Sequence, residues 1–359
     1  MTPIGMRAAV RRTLRDIRYV HAVPPGRATG LVRAVYAQLE RDFGLLAPPV
    51  ALHSPAPEVL AASWLMLRES LIASNAASRA EKEAVATAVS RVNTCPYCVE
   101  VHGMALAALG GPAAAEAIGE GRSEEIEDPG MRASAEWACG AGTVPSPEKL
   151  PELAAVAVTF HYFNRVVNVF LGPSPVPAGV PGAARGVVRA LLGRAVRPRD
   201  GSPRASLDLL PRKELPAELS WAAGNATIAA AFAGARAAVA DAGRRTVPEQ
   251  VRELVRRELK SWDGRPPGPS RSWVTPLASV VPQAERPAAR LALLVALSSF
   301  QVDEGPVLDF RRDRPDDRAL VELVSWAAFE AARWQGSRLA GTSEVGKSTV
   351  NKLTGRPRS

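Results

Sequence analysis

The chain has 359 residues, 47% apolar and 23% charged, enough to bury a sizeable core and far from a disordered composition. Its three cysteines exclude a disulfide scaffold and fit a reducing cytoplasm; no uninterrupted apolar run reaches the roughly 18 residues of a membrane span, and the start, MTPIGMRAAVRRTLRD, has no apolar stretch of a secretory signal. The net charge of +9 sits in residues 1–45, 185–213 and 336–359, which carry +5, +6 and +4 and leave the rest at −6, so the basic edges favour solubility and loose polyanion attraction over specific nucleic-acid binding.

Ala and Leu dominate, β-branched alternation is scarce, and no Asn-Gly or Asp-Gly hairpin signal separates the apolar runs, so an all-α fold is expected. In chain order, an amphipathic helix over residues 32–43 ends at Gly44, and an apolar-faced helix follows over 57–73. Ser78-Arg-Ala-Glu81 is a capping box opening a short helix that runs to residue 92. Asn93-Thr94 interrupts it, with Thr94 placed to cap a new helix over 95–109 that Gly110-Gly111 closes. Helices are further predicted over 131–139, 150–171, 215–242, 248–262, 288–301 and 317–340.

Residues 172–211 are rich in Pro, Gly and Arg, with one short helix expected at 187–192, and form the best candidate boundary. The organisation predicted is a helical domain over 1–205 with a basic N-terminal arm, a helical region over 206–340 without cysteines, and a basic, disordered tail over 341–359. A faint internal repeat crosses the boundary. VATAVSRVNTCPYCVEVH (85–102) lies over LVALSSFQVDEGPVLDFR (294–311), with Glu304, Val307 and Arg311 standing where Cys95, Cys98 and His102 would be. The second region is therefore expected to be a degenerate copy that has lost its chemistry.

The chemistry-bearing stretch runs from Glu83 to His102. Cys95 and Cys98 are three residues apart at a helix start, so their sulfurs share one side within disulfide reach and lie near the unpaired amides of the first turn. Such Cys-x-x-Cys thiols have pKa values of roughly 3.5–7.5 against about 8.5 for a free cysteine. Pro96 suits the first turn, where a missing N–H costs nothing. His102 follows Cys98 by four residues, one turn along the same face, where an imidazole can exchange a proton with the sulfur. Glu83, on the preceding helix, can reach back to orient or protonate His102. A redox dithiol with a proton relay follows from these spacings. The alternatives are a zinc site and incidental cysteines; zinc needs four ligands, and the only further thiol, Cys139, is expected to be buried and inert. A thioredoxin-like site is disfavoured because no βαβ pattern surrounds it.

The pattern Glu83-x11-Cys95-x-x-Cys98-x3-His102, continuing into His-Gly-Met-Ala-Leu in an all-helical chain, resembles the active site of AhpD-like alkylhydroperoxidases of the carboxymuconolactone decarboxylase superfamily. The resemblance covers residues 56–109 and, more weakly, 150–171. It implies an AhpD-like helical domain followed by a degenerate AhpD-like repeat. It also implies a thiol-dependent peroxidase for organic hydroperoxides, without a bound cofactor, reset by a dithiol or protein-disulfide reductant and assembling as homo-oligomers. In these terms Cys98 is peroxidatic, Cys95 resolving, and His102 with Glu83 the relay. Tyr97 stands where founding members carry a further histidine, which makes it an auxiliary candidate. A disulfide reductase serving another peroxidase, and a redox-sensing or zinc-binding module, are the competing functions.

Gly341-x4-Gly346-Lys347-Ser348 satisfies the P-loop expression, but a helix precedes it where a strand is required and only eleven residues follow; a nucleotide site is not expected. His21, His53 and His161 lack spaced partners and are expected at packing or surface positions. Five of the seven tryptophans follow the boundary, which points to packing or interface roles for Trp221, Trp326 and Trp334.

Overall fold

The computed structural model describes residues 13–176, 179–195 and 201–341, and every regular element among them is helical. Helix α1 (Gly30–Gln38) and helix α2 (Pro57–Leu67) each run on into a π turn, Leu39–Phe43 and Arg68–Ile72. Helix α3 (Arg79–Val92) opens on the predicted capping box: Ser78 Oγ accepts from the Glu81 N–H at 3.2 Å and the Glu81 carboxylate accepts from the Ser78 N–H at 2.8 Å. Helices α4 (Pro96–Ala108), α5 (Pro112–Glu120), α6 (Pro129–Ala138) and α7 (Leu150–Phe170) complete the first half. Helix α8 (Gly182–Ala195) lies in the Pro/Gly/Arg-rich stretch, and α9 (Ala226–Thr246), α10 (Glu249–Ser261), α11 (Arg286–Ser298), α12 (Glu304–Asp313) and α13 (Asp317–Leu339) form the second half.

Three local expectations need correction. Thr94 does not cap α4: its φ is +52°, and the cap is Cys95, whose N–H turns back to the Ser90 carbonyl at 2.9 Å. The helix expected over 215–242 is broken, because Asn225 accepts from the Thr227 and Ile228 N–H groups and starts α9 afresh after a 3-10 turn, Ala217–Ala222. Helices α5 and α12, each short and opened by or containing proline and glycine, were not expected. The P-loop-like residues beyond Gly341, and the tail, lie outside the described residues.

The apolar side chains form one cluster running through both halves. Helix α7 is its axis. It is long and apolar enough to cross a membrane, yet 94% of its most apolar window is buried inside the bundle. Helix α13 packs along α7, α9 against α2, α3 against α7, and α11 against α13. The α7–α13 approach requires Gly336, since a Cβ there would collide with the Val158 side chain. Trp326 and Trp221 are buried in the shared core, while Trp334 stacks at a tilt on Trp262 with ring centroids 5.1 Å apart.

The segment expected as a linker is bound to the first half. Buried Arg68 donates to Asp42 (Nε, 2.7 Å), Glu69 (Nη1, 2.9 Å) and the Ser202 carbonyl (2.9 Å). Glu69 in turn accepts from the Arg204 and Ser206 N–H groups and from Ser206 Oγ. Buried charges are held by such charge-assisted bonds, and here they fix residues 202–206 against the π turn at the end of α2, with Arg68 Nη2 alone of the guanidinium nitrogens lacking a partner.

Candidate active site

Helix α3 ends at Val92 and α4 begins at Pro96, so the chain reverses in three residues. That reversal is held by polar side chains of α7. Asn168 Nδ2 donates to the Asn93 carbonyl (3.2 Å), Asn93 Nδ2 donates to Asn164 Oδ1 (2.9 Å), and Arg165 Nη1 donates to Asn93 Oδ1 (3.1 Å). His161 also bonds Asn93, at 3.0 Å. Arg165 is buried without a carboxylate partner among its bonded neighbours. Its Nε donates to the Ala296 carbonyl at 3.0 Å, its guanidinium lies 5.6 Å from the Trp262 ring centre, and burial pulls its pKa down to about 9. His161 is likewise held well below the ordinary histidine value by burial and the adjacent Arg165 charge.

The turn places Cys95 at the cap of α4 and Cys98 in its first turn, both as free thiols, 1% and 4% exposed. The depressed pKa expected of a helix-start thiol is not what Cys98 has. Burial, the hydrogen bond that its thiol donates to Cys95, and the Cys95 charge push it well above the ordinary value, with the Asn164 amide bonding the sulfur as a smaller opposing influence. The dipole position is as expected; the missing solvent outweighs it.

His102, one turn beyond Cys98, and Glu83, from the middle of α3, meet as expected: Nδ1 of His102 lies 2.7 Å from Glu83 Oε2. With Nδ1–H donated to the carboxylate, Nε2 is the ring nitrogen left to accept a proton. Phe160 of α7 packs edge-on to the imidazole at 4.3 Å between ring centres, fixing its plane. Burial acts to raise the Glu83 pKa, but the charges of Arg79 and His102 and their hydrogen bonds hold it below the usual carboxylate value. Arg79 Nε donates to Glu83 Oε1 at 2.9 Å, making an Arg79–Glu83–His102 chain.

Cys98, His102 and Tyr97 open into one cavity of about 580 Å³ whose wall is otherwise almost wholly apolar. Tyr97 is half-buried, and burial raises its phenol pKa far above the ordinary value, so it is a neutral hydroxyl there. Cys139 is half-buried just beyond α6, outside this cavity. No group of three or more His, Cys, Asp or Glu side chains is arranged to hold a metal ion among the described residues. His53 is buried, donating from Nδ1 to the Val50 carbonyl and receiving the Tyr162 hydroxyl at Nε2 (2.8 Å), whereas His21 is exposed beside Asp317.

Arg79, Asn164 and Phe160 escaped the sequence reading. Arg79 was within reach of it, since Arg79 and Glu83 have the i,i+4 spacing of a helical ion pair. Asn164 and Phe160 come from α7, about sixty residues away in sequence, where no local pattern marks them.

The sequence profile of the carboxymuconolactone decarboxylase family matches residues 57–138, from the start of α2 to the end of α6. A protein of Mycobacterium tuberculosis (strain ATCC 25618 / H37Rv) named alkyl hydroperoxide reductase Rv2159c is 36% identical over 340 residues, covering 92% of this chain and 97% of that protein. No solved structure matches the chain.

Proposed function

Since the chain belongs to the carboxymuconolactone decarboxylase family, as an AhpD-like member, we propose that it reduces organic hydroperoxides through a Cys95/Cys98 dithiol–disulfide cycle. The observation that carries this is the shared cavity into which Cys98 and the Glu83-bound His102 both open. His102 takes the Cys98 proton; the thiolate attacks the terminal peroxide oxygen, breaking the O–O bond. Cys98 becomes a sulfenic acid, and the departing alkoxide recovers the proton from His102 as an alcohol. Cys95 then displaces water from the sulfenic acid to give the Cys95–Cys98 disulfide, and an external dithiol is oxidised as it restores both thiols. The raised Cys98 pKa is what makes a base necessary, and Glu83 stabilises the imidazolium formed meanwhile. The relative's name, alkyl hydroperoxide reductase, supports the substrate class.

We further propose that residues 206–340 are a degenerate repeat with a structural role. Its support is that α11 and α12 pack with α13 as α3 and α4 pack with α7.

The cycle is tested by single-turnover trapping with a sulfenate-specific carbon nucleophile. Cys95→Ser should leave a trappable sulfenate on Cys98 and stop turnover, whereas Cys98→Ser should consume no hydroperoxide and trap nothing. Identical behaviour of the two variants overturns the peroxidatic and resolving roles of the two thiols.

A further inference from the structure

Helix α8 lies in a stretch whose composition marks a connection, yet it covers the active-site cavity. Val188, Leu191 and Leu192 line the cavity from one side, joined by Pro175 and Val180 on the approach to the helix. Two features seat this helix on α4. Gly193 faces the Met104 carbonyl so closely that a Cβ would stand 2.7 Å from the oxygen. Glu100, midway between Cys98 and His102, receives the Arg189 Nε at 2.6 Å on one oxygen and the Ser174 hydroxyl at 2.7 Å on the other. The same helical turn thus carries the reacting groups on one face and the fastening of the cover on another.

The cavity volume, about 580 Å³, is of the size that holds a molecule of ten or more heavy atoms rather than hydrogen peroxide. Among the described residues its wall contains no Lys, Arg, Asp or Glu, and Cys98, His102 and Tyr97 are their titratable groups. A carboxylate or ammonium inside would be desolvated without a counter-charge, whereas an uncharged hydrocarbon group gains by leaving water. Resting on the peroxidase reading, we propose that α8 is the specificity-determining cover of a pocket for the uncharged, bulky apolar substituent of the hydroperoxide, fastened by Glu100.

The full-length reduced protein should bind the uncharged fluorophore N-phenyl-1-naphthylamine at one molecule per chain. The alcohol 1-decanol, inert toward thiols, should displace it at least 10-fold more effectively than decanoate at pH 7.5. Leu192→Trp, which fills the cavity from the cover, should weaken probe binding at least 10-fold. It should also lower the ratio of kcat/KM for cumene hydroperoxide to that for hydrogen peroxide by a similar factor. Arg189→Gln should weaken probe binding about threefold, and Val187→Ser, on the outer face of α8 at 63% exposure, should leave it within twofold. Absence of stoichiometric probe binding, equal displacement by decanol and decanoate, or a folded Leu192→Trp variant binding like the parent each overturns the pocket. Probe binding and displacement as expected, with no consumption of any hydroperoxide, sustains the pocket and overturns the peroxidase reading instead.

Discussion

Helices α3 and α4, with the turn between them, carry Glu83, two thiols and a histidine against α7; α11 and α12 hold a similar position against α13 with no thiol and no histidine, and with an alanine where Glu83 stands. Under the alignment of 85–102 with 294–311, extended back along α3 and α11, Glu83 corresponds to Ala292 and Cys98 to Val307, both counterparts fully buried. His102 corresponds to Arg311, which turns away to pair with Asp317 at 2.8 Å. The N-termini differ as well: Asp303 caps α12 with its own carboxylate at the Gly305 N–H, whereas Cys95 leaves the start of α4 without a side-chain cap. The second pair shows that this packing is satisfied by apolar groups. Burying a glutamate, a histidine and an arginine side by side incurs desolvation that apolar replacements avoid, a cost consistent with the chemistry proposed for the polar set of the first half.

The strongest way to break the contrast is Cys98→Val, which gives the first half the residue of the second. Hydroperoxide consumption should fall to background in a steady-state assay while the far-ultraviolet circular dichroism is preserved; residual turnover would place the reacting thiol elsewhere. Next in size, Glu83→Gln removes the charge behind His102 but keeps an acceptor oxygen, and turnover should slow roughly 10²-fold, the ordinary scale of general acid–base assistance. A variant with parental turnover across the pH range would remove Glu83 from the relay.

A thermodynamic difference sharpens the comparison, because all four histidines lie in the first half. Burial depresses His53 to about 4 and His161 well below its ordinary value. Both are neutral in the fold and protonate more readily when unfolded. Their contribution to stability is therefore complete above an unfolded pKa near 6.5 and is lost as pH falls from there through the folded values. His53 alone should remove about 3 kcal/mol by pH 4, seen as a Tm that declines steeply below pH 6.5 in scanning calorimetry; a flat Tm between pH 7 and 4 would contradict the buried neutral state. The smallest effect is expected from Val307→Cys. It places a thiol at the corresponding position of α12 without a histidine, and should alter stability by less than about 1.5 kcal/mol and hydroperoxide turnover not at all. Added turnover that survives removal of Cys98 would show the second half to be a site after all.

Much of this was legible in the sequence because it is local. The capping box at Ser78–Glu81, the spacing from Cys95 to His102 and the apolar periodicity of residues 150–171 each specify their geometry within a few turns. Glu83 and His102 met as expected because one short reversal brings α3 back along α4. What stayed hidden depends on distant chain. Asn164 and Arg165 hold the cysteine turn from α7, α8 reaches its place through Gly193 and Glu100, and the acidity of Cys98 is decided by how much of the fold shields it. A Pro/Gly/Arg-rich composition described the connection at 172–211 but not the buried Arg68–Glu69 pair that fastens its end.

The pairing of α7 with α13 has a consequence for behaviour in dilute solution. Where a site-bearing helix is covered by a separate subunit, lowering the protein concentration uncovers it, and folded stability depends on how much protein is present. Here the covering helix belongs to the same chain, so its local concentration is set by the connecting residues rather than by the number of molecules. The contact of α13 with α7 therefore stays closed on nanomolar dilution.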